Sequence, residues 1–363
     1  MLSLREVDIV VVGLGPAGSA FSYFTSKSSN ADIICFERNT RLALKPCGEL
    51  VPKELFSIIG VNPREVNAYP IRRVIVYFYH NGSLVERVIE FNGVEGYSIS
   101  KRRLLEILVD KALSSGVSVE LGKPVLRISR DGVVNVREVG IVRGKYVICC
   151  DGVYGVSVEY FKPGRVAKAY QRRVANVKTP YDEACYTFII GGVKGYGWII
   201  PKSDGTLNIG FGGLDIDPRV LLDKMVKTIP WLSSYSVVCE GGALIPVSGL
   251  RSNIVESKLI ALGDVAGSVL PLSGEGIRPS IIMAKYLSRA VIEALEEGDK
   301  RLWEGIRRYI SEWGYRIKRS LLYLKVYERM PIQLVKQLVL RVKPDTLKSI
   351  LNGEFTGAIV KFG

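Results

Sequence analysis

Hydrophobic positions along the chain fall into short runs whose period changes from segment to segment. Residues 7–12 are apolar apart from Asp8, and Gly13-Leu14-Gly15-Pro16-Ala17-Gly18 follows at once, with a helical stretch from Ser19. Strand, glycine turn and helix are predicted in that order. A second apolar run, 33–36, ends in Glu37 and completes the outline of a β-α-β unit. Strands are predicted next over 72–79 and 85–91, and a helix over 101–114, where Leu104, Leu105, Leu108 and Leu113 keep helical spacing. Residues 117–121, 125–128 and 146–150 return to strand.

Residues 165–250 are rich in Gly, Tyr and Val, with short apolar runs and few helical stretches, which predicts an inserted antiparallel sheet. Residues 258–264 then give a strand and a glycine-rich turn, with a helix from about Ile277, so the α/β half is discontinuous. Trp303, Ile306, Ile310, Trp313, Ile317, Leu321 and Leu324 recur every three or four residues, as the buried stripe of an amphipathic helix does.

At 363 residues the chain exceeds what one core usually serves, so one large α/β unit or two interlocked domains are expected. Hydrophobic residues make up 47% and charged residues 24%, a globular composition that argues against long disorder. No apolar run reaches the roughly 18–20 residues a membrane span needs, and residues 1–8 lack the apolar core of a signal peptide. A cytoplasmic chain is expected. Six cysteines without C-x-x-C spacing signal neither a zinc site nor a dithiol centre, and Cys35, Cys149 and Cys150, inside apolar runs, are expected as buried thiols. A single histidine, His80, argues against His-dependent triads and His-rich metal sites, so no metal is expected. The net charge of +14 is uneven, because residues 300–343 hold twelve Lys or Arg against three Glu. Such a stretch can meet an anionic membrane surface or a nucleic acid, or serve as a solvated helix face.

Three motifs carry candidate chemistry. Gly13, Gly15 and Gly18 with Pro16 and Ala17 let backbone N–H groups approach a pyrophosphate at the positive end of the following helix. Glu37, with Arg38 beside it, stands nineteen residues after Gly18, where a carboxylate accepts hydrogen bonds from an adenosine ribose. The second motif is Gly263-Asp264-Val265-Ala266-Gly267, followed by Pro271-Leu272-Ser273-Gly274-Glu275-Gly276-Ile277. Asp264 can bind ribityl hydroxyls, and the Gly276 and Ile277 amides at a helix start can face the pyrimidine edge of a flavin. This pair of motifs, about 250 residues apart, separates FAD from NAD. The third is the turn Cys150-Asp151-Gly152 at a strand end, which either crosses near the pyrophosphate or is an ordinary Asp-Gly turn.

On these residues, with Lys45-Pro46-Cys47-Gly48-Glu49 and Tyr196-Gly197-Trp198-Ile199-Ile200-Pro201, the chain resembles the geranylgeranyl reductase family. That family lies within the p-hydroxybenzoate hydroxylase-type flavoproteins. The resemblance covers roughly residues 6–325. It implies an α/β fold in which a Rossmann-like FAD-binding domain (1–70, 97–160 and 256–298) is interleaved with an antiparallel-sheet substrate domain (71–96 and 161–255). Basic amphipathic helices follow over 299–363. It further implies FAD extended between the two glycine motifs, a Cys-Gly loop bordering the isoalloxazine, and a Y-x-W-x-F-P segment lining an isoprenoid cavity. Carried over, FAD would meet Ala17, Glu37, Cys47, Gly48, Asp264, Gly276 and Ile277, with Val125 contacting adenine through its backbone. Lys101 or Arg102 would stand where the family has a pyrophosphate-binding Arg. Tyr196, Trp198 and Pro201 would line the substrate, and Cys47, in a loop rather than a strand, is the candidate catalytic residue.

The expected activity is reduction of isoprenoid double bonds in geranylgeranyl ether lipids or polyprenyl chains by hydride transfer from reduced flavin. The electron donor would be external, a ferredoxin or reduced nicotinamide. An anionic membrane surface is the expected partner of the basic stretch, giving a peripherally membrane-associated protein. Ile200 departs from the family's Phe, and Y-x-W-x-I-P also resembles the W-x-W-x-I-P segment of flavin-dependent halogenases. The alternative is therefore a flavin-dependent monooxygenase or halogenase acting on an aromatic substrate. A non-catalytic nucleic-acid binder would have no use for the glycine motifs, so no nucleic-acid partner is expected.

Overall fold

The computed structural model describes residues 4–354, so the last part of the stretch 299–363 lies outside the described residues. The chain forms two compact units, each assembled from three segments.

The first unit comprises 1–44, 102–165 and 246–318. Its centre is the strand Arg5–Val12, whose residues 9–12 are buried. It pairs in parallel with Ile33–Glu37 on one side and Gly140–Cys149 on the other. Burial on both faces explains why these strands are continuous apolar runs rather than alternating ones. Leu259–Ala261 adds to Gly140–Cys149 and Ser118–Leu121 to Ile33–Glu37, again in parallel. The strand predicted over 146–150 is longer, because Val133–Val136 folds back on its first half as an antiparallel ribbon. Helices Pro16–Ser26 and Ile277–Glu297 belong to this unit, and Asp299–Tyr309 packs on the latter so closely that a Cβ on Gly305 would stand 2.3 Å from that of Ala290.

The second unit comprises 45–101, 166–245 and 319–363. Residues 45–70 and 97–101 were expected in the nucleotide domain. They fold here because Leu50–Pro52, Tyr69–Ile71 and Gly96–Ser98 pair with one another as a small sheet. The main sheet has seven strands, with Arg73–His80 and Ser83–Glu90 at one end and Ser236–Pro246 at the other. It is mixed rather than antiparallel, since Ala184–Ile190 runs parallel to Arg73–His80. Helix Pro218–Thr228, capped by Asp217, lies within the stretch expected to be all sheet. It covers one face through Leu222 and Met225, against Ile199, Ile209 and Phe211. On the other face Val335 and Val339 of helix Ile332–Arg341 pack on Val76 and Phe78. Arg87 donates to the Val339 and Val342 carbonyls at 2.7 and 2.6 Å, holding the carboxyl end of that helix.

The stripe predicted from Trp303 is displaced by one residue at two places. Leu302 and Tyr309 are buried, whereas Trp303 and Ile310 are 43% and 45% exposed. A π-turn, Ile310–Gly314, joins Asp299–Tyr309 to the helix Tyr315–Arg329. Among the described residues no helix is long and apolar enough to cross a membrane.

Candidate active site

In the first unit the glycine turn is shaped by close backbone approaches. Gly13 has φ +94°, and a Cβ there would stand 2.7 Å from the Cys150 carbonyl oxygen; one on Gly18 would stand 2.0 Å from the Gly13 oxygen. Around Gly15 no atom lies within 4 Å of a built Cβ, and the helix that begins at Pro16 has no side-chain cap. Its first N–H groups and the open space before them suit a phosphate. Glu37 Oε2 accepts the Leu14 N–H at 3.0 Å, and its Oε1 accepts the Asn39 backbone and side-chain N–H groups at 3.0 and 2.7 Å. A carboxylate has about four acceptor positions, so one remains for a ribose hydroxyl.

The second motif reaches the same helix. Gly263, at φ +67°, lies where a Cβ would stand 2.7 Å from Cβ of Ala17. Asp264 is the second residue of the turn Gly263–Ala266, and its Oδ1 is 3.6 Å from the Cβ position of Gly276. Gly276 precedes helix Ile277–Glu297, which also lacks a side-chain cap, and Gly274 supports the turn at φ +66°. The fold thus brings together Gly13, Gly15, Pro16, Ala17, Gly18, Gly263, Asp264, Gly276 and Ile277. Two uncapped helix starts, a ribose-type carboxylate and a second carboxylate fit the phosphates, ribose and ribityl chain of a flavin dinucleotide.

Asp151 is placed otherwise. Its carboxylate accepts the Ser157 backbone N–H at 2.7 Å and hydroxyl at 2.6 Å, which fixes the following turn. Burial pushes this carboxyl above the usual range, opposed by the Ser157 bonds and by Arg38. Its backbone, not its side chain, borders Gly13. Val125 opens a short strand paired with Val136 at an irregular register. Arg102 is exposed and lines a cavity of about 430 Å³ with Thr40, Arg41 and Leu42.

Lys101 belongs to the second unit, and its ammonium donates to the Lys45 carbonyl. Its ammonium is therefore engaged with the Cys47 loop. In that loop Glu49 adopts φ +61° and accepts the Lys101 backbone N–H at 3.1 Å. Its Oε2 is 2.6 Å from Nζ of Lys202, whose side chain is only 4% exposed and also donates to the Ile99 carbonyl. Burial pushes the Lys202 ammonium below the ordinary lysine value, with Glu49 acting the other way. Cys47 is half-buried, and its Sγ accepts the Glu49 N–H at 3.4 Å. By contrast Cys35 and Cys149 are buried as expected, whereas Cys150 is half-buried; burial raises all three thiols.

The loop rests on the Gly195–Pro201 strand. A Cβ on Gly48 would stand 3.3 Å from Cδ1 of Ile200 and 3.8 Å from Nε1 of Trp198. Trp198 faces the neighbouring Leu207–Gly213 strand at Gly210, where a Cβ would stand 2.2 Å from its ring. Only glycine there lets the indole lie against the sheet. Tyr196 meets Trp198 edge-on, with ring centroids 6.3 Å apart. Pro201 has the parity of Gly197 and Ile199, whose face is filled by Met225 and Phe211, so it stands on the opposite side from Tyr196 and Trp198.

No protein-family model matches the chain. Among curated proteins, digeranylgeranylglycerophospholipid reductase 2 of Methanopyrus kandleri is 27% identical, covering 98% of this chain and 95% of its own length. The digeranylgeranylglycerophospholipid reductase of Methanocaldococcus jannaschii is 26% identical, covering 91% and 89%. The chain is a homologue of these reductases. A geranylgeranyl bacteriochlorophyll reductase-like crystal structure from Thermoplasma acidophilum superposes with a TM-score of 0.86, at 19% identity over 99% of each chain. A flavin-dependent brominase gives 0.76 at 15% identity, covering 96% of this chain and 94% of its own. The fold is thus the one shared by these reductase-like and flavin-dependent proteins.

Sequence reasoning assigned no role to Glu49, Lys202 or Asn208 of this reductase homologue. A signal for each was present. Lys202 directly follows a buried apolar strand end, Asn208 interrupts an apolar run, and Glu49 closes the Cys-Gly motif.

Proposed function

We propose that this chain is an FAD-dependent reductase that saturates isoprenoid double bonds of geranylgeranyl ether lipids or polyprenyl chains. The observation that carries the reading is the pairing, on one face of the second unit's sheet, of an aromatic strip with a loop thiol. Trp198 and Tyr196 offer an apolar surface suited to a substrate tail without polar handles, and the loop that carries the Cys47 thiol is tied to that face through Asn208. Near full-length homology to digeranylgeranylglycerophospholipid reductases supports the substrate class.

Bound and reduced FAD would supply a hydride to one alkene carbon. The other carbon needs a proton, and the Cys47 thiol is proposed to give it, its thiolate then regaining a proton from solvent. An isolated alkene is a poor hydride acceptor, so the chain's main task is to hold it rigidly and exclude water. Gly13 to Gly18, Glu37, Asp264, Gly276 and Ile277 would hold the cofactor, with Arg102 as the cation for its pyrophosphate. Electrons would come from an external ferredoxin or reduced nicotinamide.

A lipid substrate must be collected from a bilayer, and we assign that contact to the C-terminal helices. Leu322, Lys325, Val326 and Arg329 recur at helical spacing, and all are exposed; so are Leu334, Lys336, Leu340 and Arg341 on the next helix. Exposed apolar side chains among lysines and arginines suit an anionic membrane surface.

The test is anaerobic incubation of photoreduced protein with several polyprenyl lipids, read by mass spectrometry. Stoichiometric gain of hydrogen by one lipid class with reoxidation of the flavin is expected. Flavin that stays reduced with every polyprenyl lipid offered would refute the reading.

A further inference from the structure

Asn208 lies in the Leu207–Gly213 strand and is 2% exposed. Its Nδ2 donates to the Cys47 carbonyl at 3.0 Å, and its Oδ1 accepts Nε1–H of Trp198 at 2.8 Å. The amide orientation follows from these partners, because reversing it would set donor against donor and acceptor against acceptor. One buried amide therefore holds both the loop that carries the thiol and the indole of the sheet face.

We propose that Asn208 is a positioning residue that fixes the Cys47 loop against Trp198, so that the thiol and the aromatic wall keep one separation. Its kinetic consequence rests on the reductase reading; its physical consequence does not. Gly210 leaves the indole no side chain to ride on, which sets the direction of its N–H. Asn208 passes that direction to the Cys47 carbonyl. On the far side of the thiol, Glu49 is held by Lys202 and by the Lys101 N–H. Cys47 is thus suspended between two anchors, of which the Asn208 anchor is hydrogen-bonded to Trp198.

The experiment follows alkylation of Cys47 by iodoacetamide, mapped by peptide mass in the full chain. The exposed Cys239 is first replaced (Cys239→Ser). Asn208→Asp keeps the acceptor for Trp198 but turns a second oxygen toward the Cys47 carbonyl, and Asn208→Leu removes both bonds. The Glu49 anchor remains in each. Alkylation of Cys47 should quicken about five- to tenfold, the protection carried by roughly one buried hydrogen bond. Turnover number should fall about a hundredfold, the scale of a ~1 Å misplacement, with KM changing less. Unchanged alkylation in both folded variants overturns the proposal. If neither variant folds, Trp198→Phe decides, since it leaves the Asn208–Cys47 bond in place: faster alkylation supports the coupling and unchanged alkylation overturns it. Faster alkylation in the variants of a parent protein that reduces no prenyl lipid upholds the positioning role and removes the reductase reading instead.

Discussion

A Cβ built on Gly263 would stand 2.7 Å from Cβ of Ala17, so the two glycine motifs meet at a point where neither chain can thicken. Gly263 sits at φ +67°, and Ala17 lies in the first turn of the helix that starts at Pro16. The contact sets the start of that helix beside the turn carrying Asp264. A ligand spanning pyrophosphate and ribityl groups therefore meets a prearranged surface within the first unit.

Gly263 and Gly15 should separate structural from ligand-facing glycine. Gly263→Ala combines a left-handed backbone with a steric clash and should cost at least about 2 kcal/mol in urea unfolding. Gly15→Ala meets no atom within 4 Å at an ordinary φ of −71° and should stay within about 1 kcal/mol of the parent. The Gly15 variant should nonetheless bind FAD more weakly, which flavin titration would show. Equal FAD affinity in Gly15→Ala and the parent would remove the phosphate from that turn.

Glu37→Ala should weaken FAD more than FMN, because only FAD carries the adenosine ribose. The variant also strips the Leu14 N–H of its acceptor, so a stability loss of about 1–3 kcal/mol is expected without any ligand. Comparing FAD and FMN titrations of the same variant isolates the ribose contribution. Equal weakening of both would leave Glu37 a purely structural brace.

Much of the first unit was legible in the sequence, because its elements follow from local rules: apolar runs for doubly buried strands, glycines where backbones touch, and a carboxylate at the end of the second strand. The second unit was less so. Alternation along Ala184–Ile190 reveals which residues share a face, but it carries no direction, so the parallel pairing with Arg73–His80 could not be read. Trp303 and Ile310 are flanked by Leu302 and Tyr309, all four large and apolar, and spacing alone could not choose which pair is buried beside the π-turn. The family resemblance put Lys101, or Arg102 beside it, at a phosphate. The bond from the Lys101 ammonium to the Lys45 carbonyl is set by tertiary packing and could not be read.

Lys202 and Glu49 form a buried pair whose halves should not be separable. Lys202→Met leaves the Glu49 carboxylate only the more distant Arg173 guanidinium, 3.9 Å away, and should cost up to about 3 kcal/mol, while Lys202→Met with Glu49→Gln should recover most of that loss. The pH dependence has a definite sign. Because burial lowers the Lys202 value, the folded state releases that proton before the unfolded state does. The parent should therefore gain stability relative to the double variant as pH rises from the lowered value toward the ordinary one, about 10.4. Denaturation midpoints of both proteins across that alkaline window would check it, and parallel curves would contradict it.

The C-terminal helices should bind anionic vesicles in a salt-dependent way. Each Lys or Arg near such a surface contributes about 1 kcal/mol, screened over a Debye length of about 10 Å at 0.1 M salt. Replacing Lys325, Arg329, Lys336 and Arg341 by Gln should abolish most vesicle sedimentation at low salt. Leu322→Ser with Leu340→Ser should lower the binding that persists at high salt. Equal binding to neutral and anionic vesicles would exclude the electrostatic contribution.

Cys47 offers the most direct test of the proposed chemistry. It is half-buried in a loop held by Asn208 at its carbonyl and by Glu49 on its far side, whereas Cys35 and Cys149 are buried in strands. A thiol placed at the reacting carbon can give it a proton. Cys47→Ala removes the proton, and Cys47→Ser keeps a hydroxyl that is a much weaker acid. Both should retain flavin, since neither removes a backbone contact, and both should slow single-turnover reoxidation of the reduced flavin by a prenyl lipid at least about tenfold, within the ~10²–10⁴ span of acid catalysis or just below it. If Cys47 acts through its proton, Ser should resemble Ala, and the residual rate should rise with added small acids. If it acts by filling space, Ser should resemble the parent, because the two side chains differ by one atom of similar size. Reoxidation at the parental rate in both variants would take Cys47 out of the reaction altogether and leave the loop a wall of the site.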